Sequence, residues 1–270
     1  MNKWRGNPSL IAGAALVTFL IAAAVIGPIA IRSDPLAIDL SNVLAGPSLS
    51  HWLGCDSLGR DMLVRIVWGA RLSLGVSTLV VTLSLIAGTL IGGVAGLAGG
   101  YIDELVMRAT DVVLAFPGFL PAIALAAILG PGLIDLVIAL TAMGWTGYAR
   151  LVRGEVLSLR EREYVQAARL LGGRPSRLLV RHLLPAIAGP VAVQATFGMG
   201  GIIIAEAALS FLGLGARPPA PSWGNMLDAG RPFLLAAPHL TTVPGIAIGL
   251  SVLGFNLLGD GLAQLIGGRR

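Results

Sequence analysis

The sequence predicts an all-α, polytopic membrane bundle of about six transmembrane helices. Three observations predict it. Hydrophobic residues make up 55% of the 270 and charged residues only 12%, too little charge to cover a soluble domain of this length. The apolar residues gather into runs close to the roughly 20 that a helix needs to cross hydrocarbon. Most arginines stand beside those runs, where inner-surface charges are expected.

The first span is read over Ser9 to Ile31, which holds no charge. It is longer than the roughly 7–15-residue core of a signal peptide, and no convincing cleavage site precedes Arg32, so an uncleaved helix is expected. The second span covers Leu72–Leu97, the third Val112–Leu129 and the fourth Leu133–Leu151. The fifth covers Pro190–Leu212 and the sixth Leu240–Leu258. Six spans place both termini on one side. Lys3, Arg5, Arg269, Arg270 and a basic insert around Arg150–Arg181 share that side, which is expected to be the cytoplasm. The opposite loop, Arg32 to Arg71, balances four basic against four acidic residues. The Tyr101–Asp111 loop fits least well, being net acidic yet assigned inside.

Between spans, Asp61–Ala70 has apolar residues at helical spacing, with Asp61 and Arg65 on the other side. A short amphipathic helix at the interface is expected there, with Trp52 and Trp68 in an aromatic belt. Gly88, Gly92, Gly96 and Gly100 recur every fourth residue and form a helix-packing seam, within a transport bundle or in any polytopic protein. Gly198, Gly200 and Gly201 in the fifth span allow close packing or bending.

Several chemistries lack their residues. His51, His182 and His239 are scattered, without ligand spacing, so no metal site is expected. Cys55 is the only cysteine, so no disulfide forms within the chain. No GxSxG elbow occurs. The only lysine is Lys3, so a phosphate-binding GxxxxGK loop is absent and the chain cannot hold ATP in that way. The arginine distribution argues against nucleic acid as a partner. An ion-coupled carrier would use titratable residues within the membrane, and Glu206, Asp135 and Asp260 are the few candidates. Glu206 reads either as facing a translocation path or as pairing with a polar group between helices. A passive channel is an alternative of another class.

The basic insert parses as a helical hairpin. Ser158–Leu171 is helix-favourable with Val165, Ala168 and Leu171 apolar, and Gly172-Gly173 breaks it. Pro175 suits the first turn of a second helix, with Leu178, Leu179 and Leu183 on its apolar side. Pro185 and Pro190 then precede the fifth span.

Gln166-Ala167-Ala168, three residues, Gly172, twelve residues and Pro185 together resemble the "EAA…G…LP" cytoplasmic loop of bacterial ABC importer permeases. The segments "HWLGCDSLGRDMLVRI", "GYARLVRGEVLSLREREYVQAARLLG", "EAALSFLGLGARPPAPSWGNML" and "FNLLGDGL" are similar, in this order, to the C-type permease of dipeptide, oligopeptide and nickel importers. Gln166 stands where glutamate is usual, His182 where isoleucine is common, and Cys55 where threonine is common.

The resemblance implies a type I importer permease fold with a coupling-helix hairpin, in the bacterial inner (plasma) membrane. Residues 1–70 would be an N-terminal helix and outer loop, 71–262 the permease domain with its coupling loop at 154–187, and 263–270 a cytoplasmic tail. Gln166, Ala167, Ala168, Gly172 and Pro185 would dock on the ATPase. Arg160, Arg162, Arg169, Arg174 and Arg177 would steer that partner or lipid headgroups, or serve orientation alone. The partners implied are a homologous second permease, two ABC ATPase subunits that bind ATP and Mg, and an extracytoplasmic binding protein. No cofactor is expected in this chain. A di- or oligopeptide is the first expectation for substrate and nickel or a nickel chelate the second; relatives carrying glutathione, sugars or opines share the motifs.

Overall fold

The computed structural model describes residues 7–267. Lys3, Arg5, Arg269 and Arg270, on which the expected orientation partly rests, lie outside them. Ten helices are defined among the described residues: α1 (Pro8–Ala30), α2 (Met62–Ala98), α3 (Gly100–Leu114), α4 (Leu120–Leu129) and α5 (Leu133–Arg160). After them come α6 (Glu163–Leu170), α7 (Pro175–Leu178), α8 (Leu184–Phe211), α9 (Trp223–Gly230) and α10 (His239–Gly267).

The six expected spans are not alike. Four stretches are long and apolar enough to cross a membrane: α1, α2, residues 175–211 and α10. The expected fourth pass is α5, whose 28 residues are long enough but carry charge at both ends. The expected third span over Val112–Leu129 is not one helix. Pro117 has no N–H to continue α3 and Gly118 takes φ +53°, so the chain turns and restarts as the ten-residue α4.

Local chemistry sets the helix starts. The Asn7 side chain accepts from Leu10 N–H, and Pro8 occupies the first turn of α1, where a missing N–H costs nothing. Leu10, Gly13, Val17, Leu20 and Ala24 form the buried stripe of α1, which packs on α10. Phe19, Val25, Ile26 and Ile29 point outward, the arrangement of a helix that faces lipid on its other side.

Helix α2 starts earlier than expected. Asp61 caps it by accepting from Leu63 and Val64 N–H, and the helix then runs unbroken for 37 residues. The expected interfacial helix at 61–70 is therefore the first turns of α2, and a domain boundary at residue 70 falls inside it. These turns are covered by the outer loop and by α9. Arg65, expected on the exposed side, is buried with its Nε 3.4 Å from the Asp56 carboxylate, to which Arg60 Nε donates at 2.6 Å. Trp223 Nε1 of α9 donates to the Ile66 carbonyl. His51 pairs with Asp61 at 2.8 Å, and His239 at the start of α10 meets the Cys55 carbonyl at 3.2 Å. Trp52 is exposed, while Trp68 lies under the Arg71 guanidinium.

Along most of its length α2 packs on α5. Gly88, Gly92 and Gly96 face α5, where a Cβ at Gly88 would meet Tyr148 and one at Gly92 the Ala149 backbone. Gly96 lies against Val156. Gly100 is not part of this seam. It opens α3 at φ +55° with nothing near its missing side chain.

The acidic Tyr101–Asp111 stretch is not a loop but most of α3. Two of its acids meet arginines of α5, while Glu104 pairs with Arg108 of the same helix. Arg153 binds Asp103 through two nitrogens and Arg150 binds Asp111 at 2.5 Å.

Candidate functional site: the basic hairpin

Helices α5 and α8 converge on the hairpin at one end of the bundle, and the outer loop, α9 and the start of α10 close the other. The hairpin has a buried root. Val165 of α6 is 2% exposed and packs with Val152, Val156, Leu179, Leu183 and Ile187. Leu178 is buried as well. Burying such a set favours the docked hairpin by about 1.5–3 kcal/mol for each large side chain.

The turn is a glycine-terminated helix end. Gly172 N–H donates to Arg169 O and Gly173 N–H to Ala168 O, the paired bonds that close a helix around a left-handed residue. Gly172 supplies that residue, at φ +82°. Gly173 is needed for closeness, since a Cβ there would stand 2.6 Å from the Ala168 carbonyl oxygen. Pro175 then occupies the first turn of α7.

The second arm differs from expectation. Pro185 and Pro190 do not separate it from the fifth span; residues 175–211 form one helical run. The segment Leu179–Leu183 widens into a π turn, with Leu184 N–H reaching back to Leu179 O. Widening there absorbs Pro185, which has no N–H to return to the preceding turn. Pro185 itself is exposed.

Of the other candidate residues, Gln166 and Ala167 are exposed and Ala168 is half-buried. The Gln166 side-chain amide donates to the Glu161 carbonyl at 3.2 Å, a bond that an ionised glutamate could not make. Leu171, expected on the apolar inner side, points outward, and Leu170 and Leu171 are each 89% exposed. Arg160 is not a free steering charge. Its Nη1 donates to Gly96 O and so caps the end of α2. Arg162, Arg169, Arg174, Arg177 and Arg181 are exposed, and none forms an ion pair among the described residues. The tip therefore presents two exposed leucines in a segment rich in exposed arginines.

Glu206 lies elsewhere, near the opposite end of α8. It is 0% exposed. Ser210 Oγ donates to its Oε1 at 2.9 Å, and Oε2 has no hydrogen bond of ordinary geometry among the described residues. Ser73 of α2 stands beside this pair and accepts the backbone N–H of Trp223. Glu206 thus joins α2, α8 and α9. Asp135 and Asp260 do not approach it and contribute nothing to this cluster.

Sequence reasoning missed the Asp103–Arg153 and Asp56–Arg60–Arg65 pairings, which join residues on different elements or fold a loop on itself. It also missed a glycine-walled cavity between α2, α5 and α8.

Residues 88–270 match the family described as "Binding-protein-dependent transport system inner membrane component". The chain is 46% identical over 265 residues, 98% of its length and 87% of the relative's, to the dipeptide transport system permease protein DppC of Alkalihalophilus pseudofirmus. It is 44% identical over 228 residues to the glutathione transport system permease protein GsiD of Pectobacterium atrosepticum, covering 84% of this chain and 76% of the relative. The GsiD protein of Shigella dysenteriae serotype 1 is also 44% identical, over 84% of this chain and 75% of its own. The chain belongs to the family of binding-protein-dependent transport system inner membrane components: it is a multi-pass permease subunit of an ABC importer and not an enzyme.

Proposed function

We propose that this chain forms half of the translocation path for di- or oligopeptides and takes its drive from separate ATPase subunits through the hairpin at 154–187. The observation that carries the reading is the hairpin tip. Its root is packed into the ends of α5 and α8, yet Leu170 and Leu171 stand exposed among unpaired arginines. A rigidly mounted apolar tip with a cationic rim fits a partner groove with acidic edges. Motion imposed there passes into both helices without bending the hairpin.

In this reading Gln166, Ala167, Ala168 and Gly172 form the docking surface, and Pro185 sits where the lever joins α8. ATP and Mg reside on two ABC ATPase subunits. A homologous second permease supplies the other half of the path, and an extracytoplasmic binding protein delivers substrate at the α9 end. The hairpin end and both termini are cytoplasmic. The transporting unit runs from the second helix to about residue 262, with α1 packed against α10 at its flank. The names of the relatives support peptides over nickel as cargo.

The test is Gly172→Asp in the assembled importer. A side chain at φ +82° distorts the turn and adds an anion to the cationic tip. The variant is expected to insert and assemble but to lose peptide uptake while its partners still hydrolyse ATP. Uptake at the unmodified rate would reject the hairpin as the coupling element.

A further inference from the structure

We propose that the broken α3–α4 segment faces not lipid but the water of the translocation path, and forms the wall along which a peptide passes. The inference rests on the peptide-importer reading above and says which face of the chain lines that path.

The break lies at the depth of the spans. Ala122 and Ala126 of α4 share a packed cluster with Val80 of α2 and with Leu136, Ala139 and Leu140 in the first half of α5. Asp111, near the end of α3, reaches Arg150 in the second half of α5. Arg150 follows Ala149, whose backbone a Cβ at Gly92 of α2 would meet. Residues 115–119, between α3 and α4, therefore stand level with α2 between Val80 and Gly92, inside a helix apolar enough to cross a membrane. Six residues separate Gly92 from the end of α2 at Ala98, so the Asp111–Arg150 pair lies about 9 Å along the bundle from that end.

Two features here do not suit lipid. The first is charge. The Arg150 and Asp111 side chains are 52% and 67% exposed, and the Arg108–Glu104 pair toward the hairpin end is 75% and 54% exposed. Ionised side chains at membrane depth face a protein interior or a water-filled cavity. Helix α1 shows the contrast: its 23 residues hold no charge, and Phe19, Val25, Ile26 and Ile29 are among its exposed side chains.

The second feature is the backbone. Residues 115–119 are non-helical and exposed. The Asp111 carbonyl accepts the Ala115 N–H, but Pro117 has no N–H for the Val113 carbonyl, and a helix end leaves its last carbonyls open. Hydrocarbon donates nothing to them, so irregular backbone at this depth requires protein or water against it.

The charges decide for water. A helix laid over these pairs would strip four ions of their solvation. In a water-filled wall they stay solvated and present both signs along one face. A peptide carries an ammonium at one end and a carboxylate at the other, and such a wall answers both. Because each charge already has a partner, neither end is held tightly, as a path that must also release its cargo requires.

The experiment uses the complete importer in lipid vesicles, with its second permease, ATPases and binding protein. Val112→Cys on α3 and Phe116→Cys at the break are the reporters, and Phe19→Cys on α1 is the lipid-facing reference; all three positions are more than half exposed in this chain. The unmodified chain, whose single cysteine Cys55 is buried, is the blank. A permanently charged methanethiosulfonate is present on both sides of the membrane, with ATP and without it. Thiolate is the reactive form and does not form in hydrocarbon, so the two reporters are expected to react at least about tenfold faster than Phe19→Cys. The bulky cation attached at either reporter is expected to bring dipeptide uptake down to the level seen without ATP. Reporters as unreactive as Phe19→Cys, with and without ATP, overturn the inference and leave the importer reading intact. Modification that leaves uptake unchanged also overturns it, since a wet cleft of that kind is not the path. Failure of the unmodified importer to take up any dipeptide overturns the underlying reading instead.

Discussion

Arg153 of α5 donates through Nε at 2.9 Å and through Nη2 at 2.5 Å to the two carboxylate oxygens of Asp103 on α3, fifty residues away. The forked geometry is the one in which guanidinium and carboxylate bind most strongly. It also accounts for the least orthodox stretch of the sequence, since Asp103 and Asp111 of α3 receive the arginines at the hairpin end of α5.

Loss of this pair should loosen α3 from α5. Asp103→Asn is expected to lower stability by about 1 kcal/mol, allowing for the partial exposure of Arg153. A combined Asp103→Arg and Arg153→Asp exchange should recover part of it, read by thermal unfolding of the detergent-purified complex. The hydrogen bonds from Arg153 hold the Asp103 carboxyl below its ordinary value. The contribution is therefore complete above the ordinary carboxylate range and is lost as pH falls below about 4. A melting temperature that responds to acidification equally in the wild type and in Asp103→Asn would contradict this.

The glycine seam should be unequal. Gly92→Ala drives a methyl into the Ala149 backbone and is expected to cost about 1–3 kcal/mol. Gly100→Ala meets no atom and costs only the left-handed backbone, about 1–2 kcal/mol. The two separate by where the damage falls: cysteine crosslinking between α2 and α5 should fail in the first and persist in the second.

Glu206 should tolerate loss of charge but not loss of shape. Glu206→Gln keeps an acceptor for Ser210 and is expected to retain uptake within about threefold, the size of one altered hydrogen bond. Glu206→Ala opens a cavity and leaves Ser210 unpaired, costing about 2–4 kcal/mol. Abolished uptake in a stable, fully assembled Glu206→Gln importer would show that the carboxylate acts in transport itself.

Cys55 should be inert in the folded chain. Its side chain is buried, and burial, with Asp61 and Asp56 adding to it, pushes the thiol pKa up. Maleimide at pH 7 is expected to leave it unmodified until the protein is denatured, as mass spectrometry would report.

The sequence by itself determined the class and the hairpin. Apolar runs of membrane length, arginines beside them, and a double glycine ahead of Pro175 are local signals, and each acts within a few residues of itself. What it left open were the places where distant residues meet. Burial of Arg65 depends on Asp56 and the outer loop, so α2 began before its expected start. The broken third pass, the outward turn of Leu171 and the role of Arg160 as a cap were decided the same way. The cavity between α2, α5 and α8 was the least legible of all, because an empty volume has no residue of its own. Periodicity shows which face of a helix is apolar, whereas only tertiary packing chooses the neighbour that covers it or leaves the space unfilled.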